Sequence, residues 1–352
     1  MKKVNAILVN DLHLDKENGE LVKDIFRQLV SLCKECKTHN IICGGDVFTN
    51  RSGQPLSCLT DWKEILSMLK KEDITIHVIP GNHDKTSGDD ERSYLDVYSE
   101  PNVCLYRKGT CVYLGGVAYL FIPYFKNERW LEEYKREVDY MNTCDDVIND
   151  SPRILISHIG CDGVRNNDGT LVESPIKPSM LKSWNKVLLG HYHNASQIGD
   201  NVFYTGSAYQ NNYGENVTDK GFTLIYNDGS IKFVPSKFPK YICKKIQATD
   251  KETLRNLIDQ YDGETYDHIR FLFVGKKEDF ENIDANEIRS HGIDVKFQSD
   301  EEVEAMQISE DDSVLCYDKK MIQRDFFRFC SENEIRGEKM RYGLELLKST
   351  IL

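Results

Sequence analysis

Five short apolar runs in the first 200 residues each give way to aspartate, asparagine or histidine. VNAILVN (4–10) leads to Asp11 and His13, NIICGG (40–45) to Asp46, and ITIHVIPG (74–81) to Asn82, His83 and Asp84. RILIS (153–157) leads to His158, and KVLLG (186–190) to His191 and His193. Helical patterns over 20–37 and 58–71 separate the first three runs. Strand, helix, strand, helix, strand at this spacing predicts an α/β core with parallel pairing. In such a sheet the strand ends converge on one crevice, where ligands gather.

Taken singly, each piece has an ordinary explanation. Asp-x-His fits a turn beside a surface histidine, Gly-Gly-Asp is a common turn, and Gly-Asn-His-Asp is good turn chemistry. His191 and His193 would point to opposite faces of a strand, and converge only if the chain has left the sheet at Gly190. The set is what carries weight: five of the nine histidines fall at these strand ends, while His39, His77, His268 and His291 read as structural or surface residues.

The residue types suit metal chemistry. Two divalent ions about 3.5–4 Å apart can activate water for attack on phosphorus while neutralising the developing charge. Asp46 lies between the other candidates in the chain and is the natural bridge. Imidazole, carboxylate and amide oxygen together suit Mn, Fe or Zn. No cysteine lies among the candidates, which argues against a structural zinc site. His83 directly follows Asn82, so it reads as a non-ligand imidazole that protonates the leaving oxygen, with Asp84 orienting it.

Composition sets limits. The formal net charge is −12, so binding nucleic acid requires a local basic surface or metal ions to offset it. The 11 cysteines show no disulfide spacing, and Cys33-x-x-Cys36 sits in an amphipathic stretch that reads as a helix face. The apolar run at the N-terminus is too short for a signal peptide, and no stretch approaches a membrane span. The expectation is a soluble, cytoplasmic protein with no membrane partner.

From about residue 100 tyrosine-rich strand runs appear, interrupted by one long helical pattern over 128–142. Asn227-Asp228-Gly229 marks a hairpin, and the prolines of PSKFPKY (235–241) suggest a boundary. This gives a domain over 1–238 and a smaller one over 239–352. Within the latter a helix is expected over 250–261, strands over 268–275 and 294–299, an acidic surface segment over 299–312, and closing helices over 321–335 and 338–350.

The ordered set D-x-H, GD, GNHD, H and GHxH resembles the calcineurin-like metallophosphoesterase superfamily across roughly residues 1–235. That resemblance implies an α/β fold, a metallophosphoesterase β-sandwich flanked by helices, with a smaller α+β C-terminal domain. It implies that Asp11, His13, Asp46 and His193 hold one metal, that Asp46, Asn82, His158 and His191 hold the other, and that His83 is the catalytic acid. TGSAYQNNYGENVTDKGF (205–222) looks like a loop of the double-strand-break repair nucleases, the SbcD-type and T-even-phage recombination subunits.

This narrower resemblance implies a Mn-dependent DNA exo/endonuclease subunit in DNA repair and recombination. Its expected partners are DNA, an ABC-type coiled-coil ATPase and a second copy in a homodimer. Residues 318–352 carry eight Lys/Arg against six Asp/Glu, and an amphipathic helix there could dock on such a partner or on its own domain. Thr49 stands where many members carry a histidine linked to exonuclease action, which puts the balance of exo- and endonuclease action in doubt. The alternative is a metallophosphatase or phosphodiesterase acting on small-molecule or protein phosphoesters. A third reading, a metal-stabilised scaffold without activity, has no use for the spare imidazole of His83.

Overall fold

A computed structural model describes residues 2–143, 150–166, 169–215, 220–247, 251–261, 267–280 and 283–299. The chain divides into two compact units, Met1–Ile242 with Thr265–His268, and Cys243–Glu264 with Ile269–Leu352.

The first unit is built on two six-stranded mixed sheets. In one, β1 (Val4–Val9), β2 (Asn40–Cys43), β3 (Thr75–Val78) and β4 (Val103–Leu105) run parallel, with β11 (Gly221–Tyr226) and β12 (Ile231–Pro235) antiparallel at the β1 edge. In the other, β6 (Val117–Ile122), β7 (Arg153–His158), β8 (Lys186–Gly190) and β10 (Val202–Tyr204) run parallel between antiparallel edges β5 (Thr110–Leu114) and β9 (Ser196–Ile198).

Alternation along the strands explains the layering. Ala6 and Leu8 of β1 face Tyr119, Phe121, Ile154 and Leu188 of the opposite sheet. Their neighbours Ile7 and Val9 point the other way, into a core with Ile25, Phe26 and Leu29 of α1 (Gly19–Cys36) and Trp62 and Leu66 of α2 (Leu56–Lys71). Side chains of successive strand residues alternate between faces, so a strand covered on both sides must be apolar throughout. Every residue of β6 is buried for that reason. Its outer residues Leu120 and Ile122 pack with Trp130, Tyr134 and Met141 of α3 (Asn127–Met141).

The expected helix over 128–142 is therefore α3. The hairpin forms at its expected turn, with Gly229 at φ +76° and its N–H donating to Tyr226 O at 2.9 Å. Cys33 is buried on the inner face of α1, and the described cysteines are free thiols.

A three-stranded sheet comprises β13 (Tyr241–Gln247), β14 (His268–Gly275) and β15 (Asp294–Ser299), the last two parallel; Tyr241, Ile242 and His268 count with the first unit, and the rest of these strands with helices α4 (Lys251–Tyr261) and α5 (Ala285–Ser290) with the second. The acidic segment beyond Ser299, the two expected closing helices and the basic stretch 318–352 lie outside the described residues.

Candidate metal centre

The parallel strands deliver the expected residues to one place. Asp11 and His13 follow β1, Asp46 follows β2, Asn82 and His83 follow β3, His158 ends β7, and His191 and His193 follow β8. The loops after β1 and β2 are joined to each other: Asp11 N donates to Gly45 O (3.1 Å), His13 N to Asp46 O (3.0 Å) and Leu14 N to Val47 O (2.8 Å). This pairing holds Asp11, His13 and Asp46 at φ between 44° and 52°, in the left-handed region that L-residues other than Asn, Asp and His rarely enter.

The exit from β8 differs from the expected one. Gly190 remains in the strand, and His191 itself takes the positive φ, +98°. Gly190 matters through its missing side chain: a Cβ there would lie 2.9 Å from both Gly44 O and His158 Nδ1. Gly81 is tighter still, since its Cβ would meet Asp46 Oδ1 at 2.1 Å.

Three overlapping groups of donors result, the donor atoms of each within 4.8 Å of one another: Asp11, His13 and His193 form one, Asp46, His158 and His191 another, and His83 joins His13 and Asp46 in a third that shares a residue with each. The Nε2 atoms of His13 and His193 are 2.9 Å apart. Asn82 Oδ1 lies 3.1 Å from His158 Nε2 and 2.8 Å from His191 Nδ1. Asp46 Oδ2 stands between the groups, 3.8 Å from His13 Nε2 and 3.2 Å from His158 Nε2. His158 Nδ1 faces Gly44 O at 2.9 Å, so an N–H there donates to the carbonyl and leaves Nε2 as the donor atom.

Electrostatics agree with a place for positive charge. Burial, followed by the neighbouring imidazoles, pushes His13 and His191 down to about 3, so both are neutral donors. Burial also pushes Asp11 up, against the pull of His158 and His193. At Asp46 burial works the same way, but the facing histidines, His158 foremost, outweigh it and hold the carboxyl well below the usual carboxylate range. His158 is lowered by burial and raised more strongly by Asp46 and Asp11, to about 9. Among the described residues no Lys or Arg side chain pairs with Asp11 or Asp46. Imidazoles, carboxylates and an amide oxygen thus converge with no Lys or Arg among the described residues to pair with the carboxylates, a donor set that fits divalent metal ions.

His83 is half-buried, its ring edge-on to His13 at 4.9 Å. Its backbone N–H donates to Asp46 Oδ1 (2.8 Å), and its Nδ1 meets Thr49 O (2.5 Å). Asp84 does not orient it as expected. That carboxylate instead accepts from Gly81 N (2.8 Å) and Phe48 N (3.0 Å), tying the loops after β2 and β3 together, while burial and Asp46 push it up to about 6. The reason is local geometry: the turn that presents Asn82 and His83 carries the next side chain back under the loop.

Sequence reasoning missed three residues. Glu215 Oε1 accepts from His193 Nδ1 (2.8 Å), which fixes the ring with Nε2 toward His13. Lys220, with a fully buried side chain, reaches Glu215 Oε2 (2.7 Å), Ser207 Oγ (2.8 Å) and His193 O (2.6 Å). The available signal was a Glu and a Lys five positions apart, each beside a glycine, in a polar loop ahead of a buried strand. Arg51, two residues beyond Thr49, places Nη2 3.2 Å from His83 Nε2, and among the described residues no carboxylate pairs with it. Among the described residues it is the sole Lys or Arg on the wall of a cavity of about 810 Å³ that opens over the donor groups.

Two facing mixed sheets flanked by helices, with paired His/Asp groups at the strand ends, describe the class of metal-dependent phosphoesterases. The calcineurin-like phosphoesterase family model matches residues 5–230, and the chain belongs to that family. Two viral proteins are similar to it at 21% identity. "Putative phosphoesterase 078R" of Invertebrate iridescent virus 3 matches over 70% of this chain and 70% of its own length. "Putative phosphoesterase 244L" of Invertebrate iridescent virus 6 matches over 82% and 100%. "Exonuclease subunit 1" of Enterobacteria phage T4 is 26% identical over 65% of this chain, which spans 66% of the phage protein. Among the described residues no helix is long and apolar enough to cross a membrane.

Proposed function

We propose that the chain is a Mn-dependent DNA nuclease subunit of a repair or recombination complex, hydrolysing phosphodiesters at this centre. Asp11, His13, Asp46 and His193 hold one ion, and Asp46, Asn82, His158 and His191 the other. The observation that carries the reading is Asp46 Oδ2, which faces His13 at 3.8 Å and His158 at 3.2 Å. The phage exonuclease subunit among its relatives supports the choice of DNA over other esters.

The ions supply Lewis acidity and a nucleophile at neutral pH. The chain's own residues do the rest. Thr49 O holds His83 by Nδ1, leaving Nε2 to carry a proton toward the departing oxygen. Arg51, with no carboxylate among the described residues to hold it, can turn from His83 to a phosphate oxygen. Residues 239–352 are proposed as the domain that meets the ATPase, and the chain to act in the cytoplasm and to pair with a second copy.

A second reading keeps the same chemistry for small-molecule or protein phosphoesters. It is favoured by Asp15 and Glu17, which line the cavity and repel a polyanion. Cleavage of labelled duplex and single-stranded DNA in Mn²⁺, with a Mg²⁺ control, a His83→Ala variant and p-nitrophenyl mono- and diesters in parallel, separates the two. Mn-dependent degradation lost in the variant is expected. Intact DNA alongside rapid turnover of the small esters would move the assignment to the second reading.

A further inference from the structure

We infer that the stacked rings of Tyr241 and His268 form a subsite for a nucleobase of the substrate. The inference rests on the reading of the centre as one that hydrolyses nucleic-acid phosphodiesters. Both rings line the cavity that also exposes His13, Asp46 and His83. At about 810 Å³, that cavity is in the range of pockets that enclose whole small molecules, larger than a phosphate group needs.

The two rings are fixed in place by backbone bonds. Tyr241 N donates to Gln210 Oε1 (2.8 Å) and Gln210 Nε2 donates back to Tyr241 O (3.1 Å), a two-point clamp from a buried side chain. His268 N donates to Lys240 O (2.7 Å), which sets its ring beside that of Tyr241. Their centroids are 4.2 Å apart with planes 21° from parallel, and Tyr213 meets Tyr241 edge-on at 5.0 Å. Among the described residues neither the Tyr241 hydroxyl nor the His268 ring makes a hydrogen bond, and His268 is exposed. The other cavity tyrosines are otherwise engaged: Tyr209 bonds Leu12 O, and Tyr192 packs on His191 and Tyr204.

The charge distribution selects a base over a second phosphate. Among the described residues Arg51 is the single Lys or Arg on the wall, while Asp15 and Glu17 line the same cavity. A phosphate is repelled by those carboxylates, whereas a neutral planar base can lie on the stacked rings. Stacking of this kind tolerates any base, because each has a π-face.

The test uses the full chain with Mn²⁺ in a His83→Ala background, titrated with 2-aminopurine deoxyribonucleoside monophosphate and with a trinucleotide carrying 2-aminopurine. Quenching of fluorescence on binding is expected. Tyr241→Leu should weaken binding about tenfold or more, the scale of one lost base stack, while Tyr241→Phe matches the parent. The leucine keeps the backbone clamp to Gln210, and thermal melting checks that the fold is intact. Inhibition of small-ester hydrolysis by orthophosphate, read in the His83 protein, should not change with Tyr241→Leu. Absence of quenching, or binding by Tyr241→Leu within twofold of the parent, overturns the subsite. Tyr241-dependent binding of the mononucleotide without DNA cleavage leaves the subsite standing and removes the nuclease reading. DNA cleavage indifferent to Tyr241 does the reverse.

Discussion

Removing the Lys220 ammonium should expose how the fold holds His193. Lys220→Met deletes buried contacts to Glu215, Ser207 and the His193 carbonyl, and leaves the buried Glu215 carboxylate with His193 in place of its ammonium partner. Breaking one side of a buried ion pair costs about 3–5 kcal/mol. The depression of Glu215, which His193 and Lys220 share, bounds the Lys220 contribution at a similar figure. Burial works to raise Glu215, but His193 and Lys220 hold it at about 2 against 4.5, and at 1.36 kcal/mol per pH unit this is about 3 kcal/mol of stability at neutral pH. The folded value is depressed, so this contribution is complete above pH 4.5 and is lost as pH falls from there toward 2. With an m-value of about 3 kcal/mol/M, a loss of about 4 kcal/mol lowers the urea midpoint by about 1.3 M. Urea unfolding of metal-free protein at pH 7 measures it. The double variant Lys220→Met/Glu215→Gln removes the stranded charge and should recover most of the loss, although metal affinity stays about 10–100-fold weaker because His193 has lost its carboxylate partner. If the single variant unfolds within about 1 kcal/mol of the parent, a scatter ordinary for surface substitutions, the buried pair does not carry the loop and the reasoning fails.

Arg51→Met should raise KM for small phosphoesters and the inhibition constant of orthophosphate about 10-fold or more, the scale of one charge-assisted hydrogen bond, with Arg51→Lys intermediate; steady-state kinetics read it directly. Gly81→Ala forces a Cβ to within 2.1 Å of Asp46 Oδ1, so a loss of about 1–3 kcal/mol by thermal or urea unfolding is expected, together with weaker binding in a metal titration. His77, whose ring stacks near Tyr106 and Phe121, is pushed by burial down to about 4. It therefore stays neutral in the fold and charges on unfolding, costing up to about 3 kcal/mol as pH falls from 6.5 toward 4. His77→Gln should flatten the stability profile over that interval, and an unchanged profile would assign acid sensitivity to other groups.

The positions of the seven expected ligands were legible because each follows an apolar run by one to four residues, and parallel strands bring their ends together. Roles that depend on a contact distant in sequence were not legible. Asp84 follows His83 directly and so looks like its partner, yet its two acceptor bonds come from Gly81 and from Phe48, 36 positions away. Glu215 reaches back 22 positions to His193, and its spacing from Lys220 is the local mark that hints at a buried carboxylate. Gly190, the expected point of exit from the sheet, instead supplies clearance for His158, a requirement set by the neighbouring strand β7. The second sheet's edge, where β10 pairs parallel with β8 and antiparallel with β9, follows from partner choice among short strands that the pattern leaves open.

Backbone and side chains play different parts at this centre. Four of the seven expected ligands, Asp11, His13, Asp46 and His191, lie at positive φ. Such conformations cost of order 1 kcal/mol each or more, and persist only where surrounding bonds over-determine them. Here the paired loops after β1 and β2 do so, and His191 N donates to Asp11 Oδ1 at 3.1 Å. The backbone therefore aims these side chains at one place. Between the side chains, the Nε2 atoms of His13 and His193 face each other at 2.9 Å, and ring nitrogens of His158 and His191 face the single amide oxygen of Asn82. Placement of the expected ligands is thus a property of the paired loops, and the orientation of each imidazole a property of the few polar contacts that hold its other nitrogen.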